Sequence, residues 1–320
     1  MTGVMCAVID DLPARLWPGT MRTARRVFRR GNPYGVFAFG IGPDIRGGRP
    51  RTNVVLNVYV DRKLAEPPRP VPPIRPASRS QSYTVVPNVI ATGKPPRAAA
   101  GAQAPFSGLH PGAAFITGGP APARGAIACL LGDSGTPTHA LTAGHVFAPG
   151  AGDRRALAAS DAGGVPREVG QLVANFLDSD GVDVAVIQLN AQGRSMVVPV
   201  GPPLSGHLAE RSVWRRSVRA YRATTGDYSR QTRTGDQPVD ALLEAPLRGS
   251  FWVRDAIGTD GEVTSPGDSG TILLAGVSSE LAVGTCSGGF DAQSVFEPFS
   301  RALDLVRRDV DSTLGLFGEE

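Results

Sequence analysis

Glycine and proline punctuate this chain so densely that its apolar residues are left in short runs. The 320 residues include 40 glycines and 28 prolines. Turn formers at that density predict a mainly β, turn-rich chain. Hydrophobic residues make up 41% of the sequence and aromatics only 6%, so the core must come from small and branched side chains. The length leaves room for two domains, or for one large domain with an appendage.

One of the turns carries chemistry. Ser265-Pro266-Gly267-Asp268-Ser269-Gly270 stands directly before the apolar run Thr271-Ile272-Leu273-Leu274. A serine hydroxyl is a poor nucleophile until a base removes its proton. Gly267 can adopt backbone conformations closed to other residues. That freedom lets the N–H groups of Gly267 and Ser269 converge beside the hydroxyl as an oxyanion hole. Standing alone, such a motif is more often just a tight turn.

Two other stretches change the odds. Leu141-Thr142-Ala143-Gly144-His145-Val146 is a β-like run ending in a histidine among small residues, and Asp183-Val184-Ala185-Val186-Ile187-Gln188-Leu189 is an aspartate opening an apolar strand. Each has a structural explanation by itself, a satisfied strand-end histidine and a turn aspartate. Together, in the chain order His, Asp, Ser, they offer a base, an orienting carboxylate and a nucleophile. His139 precedes His145 by six residues on the same strand, but strand parity and the Ala-Gly-His context favour His145. Asp178 and Asp180 compete for the carboxylate role, yet only Asp183 directly opens an apolar strand.

At these residues the sequence resembles the chymotrypsin-like (trypsin-fold) serine peptidases of bacterial type. Thr142-Ala143-Gly144-His145, Asp183-Val184-Ala185-Val186 and Gly267-Asp268-Ser269-Gly270 carry the likeness, at spacings of 38 and 86 residues between His145, Asp183 and Ser269. Arg222-Ala223-Thr224-Thr225-Gly226 looks like the opening strand of the family's second barrel. The resemblance spans residues 110–305. It implies two six-stranded antiparallel β-barrels, barrel 1 over 112–190 and barrel 2 over 211–290, with a C-terminal helix over 295–310. It also implies a serine endopeptidase acting on protein or peptide substrates through an acyl-enzyme, with no cofactor and no metal. In relatives the base of the primary pocket lies six residues before the nucleophile, here Val263, with a wall near Ser287-Gly288-Gly289. An apolar base favours small or apolar side chains at the cleaved position, although a one-residue slip would turn Glu262 inward. Thr271-Ile272 departs from the Gly-Pro that many secreted members carry after the motif.

Ahead of the motif region the composition changes. Residues 1–100 hold 16 Arg and Lys against 5 Asp and Glu, whereas the remainder holds 17 against 24. Two regions with different surfaces follow from that asymmetry. A helix is expected over 11–30, with Pro13 and Pro18-Gly19 breaking its first half and Arg22, Arg25, Arg26, Arg29 and Arg30 on one face. That face reads as a solvated basic surface or as a contact for nucleic acid, anionic lipid or an acidic partner, and nothing in the motifs supports nucleic acid. Strands over 34–41 and 52–60, completed over 83–90, would make residues 1–93 a small basic α+β domain with a regulatory partner as one expectation. Its layout looks like the short N-terminal domain of some bacterial and plant trypsin-like proteins. The proline-rich segment 64–80 reads as a stiff spacer, residues 94–109 as a linker, and residues 110–320 as the peptidase domain.

Met1–Pro13 lacks a basic leader pattern, and no apolar run approaches the roughly 18–20 residues that span a bilayer. Three scattered cysteines, Cys6, Cys129 and Cys286, do not make a disulfide framework. Secreted relatives bridge cysteines near the histidine and the serine, where this chain has Ala143 and Ser265. A cytoplasmic setting is therefore expected. The competing function is a catalytically silent trypsin-fold binding module acting through its basic N-terminal region.

Overall fold

A computed structural model of the chain describes residues 7–9, 11–29, 32–46, 49–61, 71–76, 83–92, 106–119, 122–133, 135–149, 153–158, 166–199, 204–276, 280–290 and 293–317. Strands dominate, as the turn density requires. Two large sheets account for nearly all of them.

The first sheet has eight strands, in the order Gly315–Leu316, Cys129–Gly132, Pro137–Thr142, Ala185–Leu189, Arg167–Asn175, Arg155–Ala158, Ala114–Thr117 and Arg124–Ala126. Every neighbouring pair is antiparallel. Phe115, Ile127, Phe147, Val169 and Ile187 fill its interior. The strand Arg167–Asn175 ends at Asn175, whose side chain accepts from Leu177 N–H and caps a short helix beginning at Phe176.

The second sheet has twelve strands and joins N-terminal strands to strands as late in the chain as Gln293–Pro298. From the centre outward it runs Gln293–Pro298, Gly249–Gly258, Val239–Ala245, Val36–Arg46, Arg49–Asp61 and Asn88–Thr92. The N-terminal hairpin thus continues the later sheet, through the register Gly40↔Val239, Phe39↔Asp240 and Ala38↔Ala241. Gly40 suits that junction because a Cβ there would stand 3.2 Å from Pro238 O and 3.3 Å from Val239 Cα. The strand expected over 83–90 resolves into two, Tyr83–Val85 and Asn88–Thr92, on either side of Val86-Pro87.

The N-terminal helix is shorter than expected, Trp17–Val27 after a 3-10 turn at Ala14–Leu16. Pro18 falls in its first turn, where a missing N–H is no loss, so it starts the helix instead of breaking it. Ala24 and Phe28 bury against Phe39, with Phe28 and Phe39 ring centroids 5.4 Å apart. On the basic face Arg22, Arg26 and Arg29 are exposed, while Arg30 lies outside the described residues. Arg25 turns inward. Its Nε donates to Asp240 Oδ2 at 2.6 Å, and its Nη2 donates to Asp240 Oδ1 at 2.9 Å and Asp255 Oδ1 at 2.5 Å. Asp255 holds a φ of +52°, and its N–H also donates to Asp240 Oδ1.

Of the proline-rich segment, residues 71–76 are described, and they are packed. Ile74 is buried and exchanges both backbone hydrogen bonds with Val85 at 2.8 Å. An apolar side chain in the proline run thus anchors part of what the composition reads as a stiff spacer. Most of the 94–109 linker lies outside the described residues, as does Cys6. Cys129 and Cys286 are buried and free.

The C-terminal helix spans Phe299–Asp309, not 295–310. Val295 and Phe296 belong to the strand Gln293–Pro298, where Phe296 pairs with Cys286 and Ile257. Pro298 stands at the helix N-cap, after the last strand residue whose N–H the sheet requires. Phe299, Ala302, Leu303 and Val306 then bury one face in a cluster shared by both sheets, with Leu131 and Leu141 of the first and Ile272 and Leu274 of the second. Among the described residues no helix is long and apolar enough to cross a membrane.

The Arg25 fork should matter to stability. Arg25 is partly exposed but Asp240 is buried, so Arg25→Ala leaves that carboxylate with the Asp255 N–H and should cost about 1–3 kcal/mol. Asp240→Asn added to Arg25→Ala should recover part of that loss. Denaturant titration of the two variants checks this, and an Arg25→Ala midpoint equal to the parent's would count against it.

Candidate active site

His145 sits just past the end of the strand Pro137–Thr142, in a 3-10 turn over Gly144–Val146. The turn is tight on its outer side. A Cβ on Gly144 would stand 2.7 Å from Asn175 Oδ1, and Asn175 Nδ2 donates to Gly144 O at 3.0 Å. Asp183 lies two residues before the strand Ala185–Leu189, fully buried. Its Oδ1 accepts the His145 backbone N–H at 2.7 Å, and its Oδ2 lies 2.7 Å from His145 Nδ1. A carboxylate there takes a proton-bearing Nδ1, which leaves the lone pair on Nε2. Nε2 stands 2.8 Å from Ser269 Oγ. The three sequence candidates therefore meet in one row, and all three are buried.

The competing aspartates are committed elsewhere. Asp178 pairs in a fork with Arg248, at 2.5 and 3.1 Å, and Asp180 accepts from Arg308 at 2.8 Å. His139 is buried with Nδ1 against Thr138 Oγ1 at 2.9 Å. Burial holds its pKa below the ordinary imidazole value, with the charge of Asp311 pulling the other way.

Ser269 is held by its backbone as well as its hydroxyl. Ala126 N–H of the first sheet donates to Ser269 O at 2.7 Å, and Gly270 N–H donates to Cys286 O at 2.8 Å. Gly270 has a φ of +88°, and a Cβ there would meet Ala126 O at 2.4 Å and Thr142 Oγ1 at 2.5 Å. Only glycine fits. Gly267 adopts a φ of +108°, the left-handed geometry its sequence position anticipated.

Asp268 braces this turn. Its carboxylate accepts Ser265 N–H at 2.8 Å, Thr224 N–H at 2.9 Å and Thr224 Oγ1 at 3.3 Å. Burial raises its pKa, and these donors together with Arg222 oppose that rise. The Thr224 contact ties the Arg222–Gly226 stretch to the turn that carries Ser269.

Of the pocket candidates, Val263 is buried beside Val213, Ile257 and Val283, while its neighbour Glu262 is exposed. Val263 N–H donates to Ser294 Oγ at 3.1 Å. Ser287 is buried, with no hydrogen bond on its Oγ among the described residues. Gly288 has a φ of +152°, and a Cβ on Gly289 would press on Gln293 O at 2.7 Å.

Three residues escaped the sequence reading. Phe251 stacks on the His145 ring, with centroids 5.4 Å apart and planes 22° from parallel. Arg248, at the tip of the same hairpin, donates through Nε to Phe147 O at 2.8 Å. Neither carries a local signal, because both arrive by a hairpin whose reach only the fold decides. Glu297 did leave a trace, as a lone acid inside Val295-Phe296-Glu297-Pro298-Phe299. Its Oε1 accepts Asp183 N–H at 3.0 Å. Burial pushes its pKa up to about 8. Among the described residues no three His, Cys, Asp or Glu side chains converge as a metal site.

No protein-family model matches the chain, and no curated protein does. Solved structures offer distant likenesses. Thermobifida fusca Protease A is similar at 16% identity and a TM-score of 0.43, over 67% of this chain and 99% of that one. A human pathogenic astrovirus serine protease is similar at 12% identity and a TM-score of 0.33, over 60% of this chain and 94% of that one. At such scores the chemistry has to be argued from the site itself.

Two outcomes follow from these contacts. Asp268→Ala strands two backbone donors and a hydroxyl, each worth about 1–3 kcal/mol when left unpaired in a buried site, so its melting temperature should drop by several degrees, with Asp268→Asn milder. Glu297 keeps a proton in the folded chain up to about 8, whereas its ordinary value is 4.5. Between those values the unfolded chain has lost that proton, so this group makes stability fall as pH rises, by about 1.4 kcal/mol per pH unit at most. Denaturant midpoints across that range should fall less steeply in Glu297→Gln, and identical slopes would contradict the burial of this acid.

Proposed function

We propose that the chain is a serine endopeptidase, with residues 110–320 forming the two-barrel chymotrypsin-like domain and residues 1–93 a small α+β domain. One observation carries the reading: Ser269 Oγ, His145 and Asp183 stand in a buried hydrogen-bonded row of 2.8 and 2.7 Å. A scaffold has no physical need for an alcohol, an imidazole and a carboxylate in that order.

In this reading His145 Nε2 takes the Ser269 proton as the oxygen attacks a peptide carbonyl carbon. Asp183 holds the proton on Nδ1 and stabilises the imidazolium. The N–H groups of Gly267 and Ser269 receive the oxyanion, and the left-handed Gly267 favours that arrangement. His145 then passes its proton to the departing amine, leaving an acyl group on Ser269. Water attacks that ester by the same route in reverse, and the acid product leaves with Ser269 restored.

Val263 would form the base of the primary pocket, with Ser287, Gly288 and Gly289 as its wall. Its inward position beside an exposed Glu262 favours small or apolar residues at the cleaved position over Lys or Arg. The substrate is a protein or peptide.

A fluorophosphonate probe tests the reading. It should add one adduct per chain on Ser269 and none on Ser269→Ala, which should also lose peptide turnover by on the order of 10⁶. Labelling undiminished in Ser269→Ala would overturn it.

A further inference from the structure

Glu297 is the buried acid that the proposed chemistry does not use. An acid serving only to pack would be a poor choice, since apolar residues of similar volume are often neutral or stabilising in place of buried ions. Its neighbours explain little of its retention. Arg301, one helical turn on, has Nη1 3.6 Å from Glu297 Oε2, but that nitrogen donates to Arg254 O at 2.9 Å, while Nη2 donates to Glu210 Oε1 at 2.8 Å. Oε2 makes no hydrogen bond among the described residues. The other charged groups near it are acidic: Asp183 ahead of its strand, and Asp255 on Gly249–Gly258, itself held by Arg25. Across the sheet stands Thr285, buried and neutral, next to Cys286, whose thiol burial also keeps protonated.

The contact Glu297 does complete is with Asp183. Around that aspartate the backbone is otherwise paired within its own turn, Val184 N–H to Val182 O and both Phe176 N–H to Val184 O and Val182 N–H to Phe176 O. Asp183 N–H goes instead to Glu297 Oε1, while both of its carboxylate oxygens go to His145.

We propose that Glu297 is a positioning residue of the triad, seating Asp183 from behind through its backbone N–H so that both carboxylate oxygens stay on His145. This rests on the peptidase reading for its catalytic meaning, but not for its geometry. Burial keeps the proton on this carboxyl well above the usual carboxylate range, and the protonated group accepts through its carbonyl oxygen. As it ionises near about 8, the bond from Asp183 N–H becomes charge-assisted. A second negative charge then stands behind Asp183, which favours the imidazolium formed during attack.

The test uses the ¹⁵N-labelled full chain and follows the Asp183 amide resonance against pH, alongside the rate at which a fluorophosphonate labels Ser269. The parent amide should titrate with a midpoint near about 8, and in Glu297→Gln, which keeps the acceptor but cannot ionise, it should not. Labelling of Glu297→Gln should match the parent at low pH and fall at least about threefold behind it once the parent has ionised. Glu297→Leu, checked as folded by circular dichroism, should label at least about tenfold more slowly throughout. An Asp183 amide that does not titrate, a titration that survives in Glu297→Gln, or parental labelling by Glu297→Leu would each overturn the assignment. A parent that takes no label would sink the peptidase reading instead, and the amide titration would still decide whether Glu297 seats Asp183.

Discussion

The two sheets meet at a point where there is no room for a side chain. Ala126 N–H reaches Ser269 O, and Gly270 lies so close to Ala126 O and Thr142 Oγ1 that a Cβ would collide with both. Thr142 Oγ1 itself donates to Ala126 O at 2.7 Å, so the strand leading to His145 and the turn bearing Ser269 share one small knot of backbone. Everything about the site depends on that seam. The imidazole comes from one sheet and the hydroxyl from the other, and their 2.8 Å separation holds only while the two backbones stay in contact.

Around the seam, neighbouring acids are separated by partner. Asp178, Asp180 and Asp183 lie close together on the short helix Phe176–Ser179 and the turn after it, yet each finds a different base: Arg248, Arg308 and His145. Pairing the first two with guanidinium groups leaves only Asp183 beside the imidazole. Arg248 does a second job by bringing its hairpin across to Phe147, which carries Phe251 onto the His145 ring. On the far side of the same hairpin, Arg25 of the N-terminal helix grips Asp240 and Asp255. The N-terminal strands and the imidazole's cover therefore belong to one hydrogen-bonded sheet.

Much of this was legible before any coordinates. His145, Asp183 and Ser269 could be picked out because nucleophilic chemistry demands particular residue types with particular neighbours, and those neighbours are local: small residues before the histidine, glycines around the serine, an apolar strand after the aspartate. Gly267 followed for the same reason. What stayed hidden is what depends on distant chain. Nothing near Val36–Arg46 announces that it will pair with Val239–Ala245, since edge pairing is set by the whole sheet and not by the strand. Ile74 looks like spacer until Val85 is found beside it. The helix ends were misplaced where proline has two meanings, a starter at Pro18 and a border between strand and helix at Pro298. Glu297 passed unnoticed although it is an acid in apolar company, and only the position of Asp183 gives it a use.

Asp183 holds a proton on Nδ1 of His145 and so leaves Nε2 facing the Ser269 hydroxyl. Proton NMR of the intact chain in water addresses it directly. An imidazole N–H resonance assigned to His145 Nδ1 should stand far downfield of the amide envelope and be lost or moved sharply upfield in Asp183→Ala. A spectrum of the folded parent without that resonance, or one in which it is indifferent to the loss of Asp183, would contradict it.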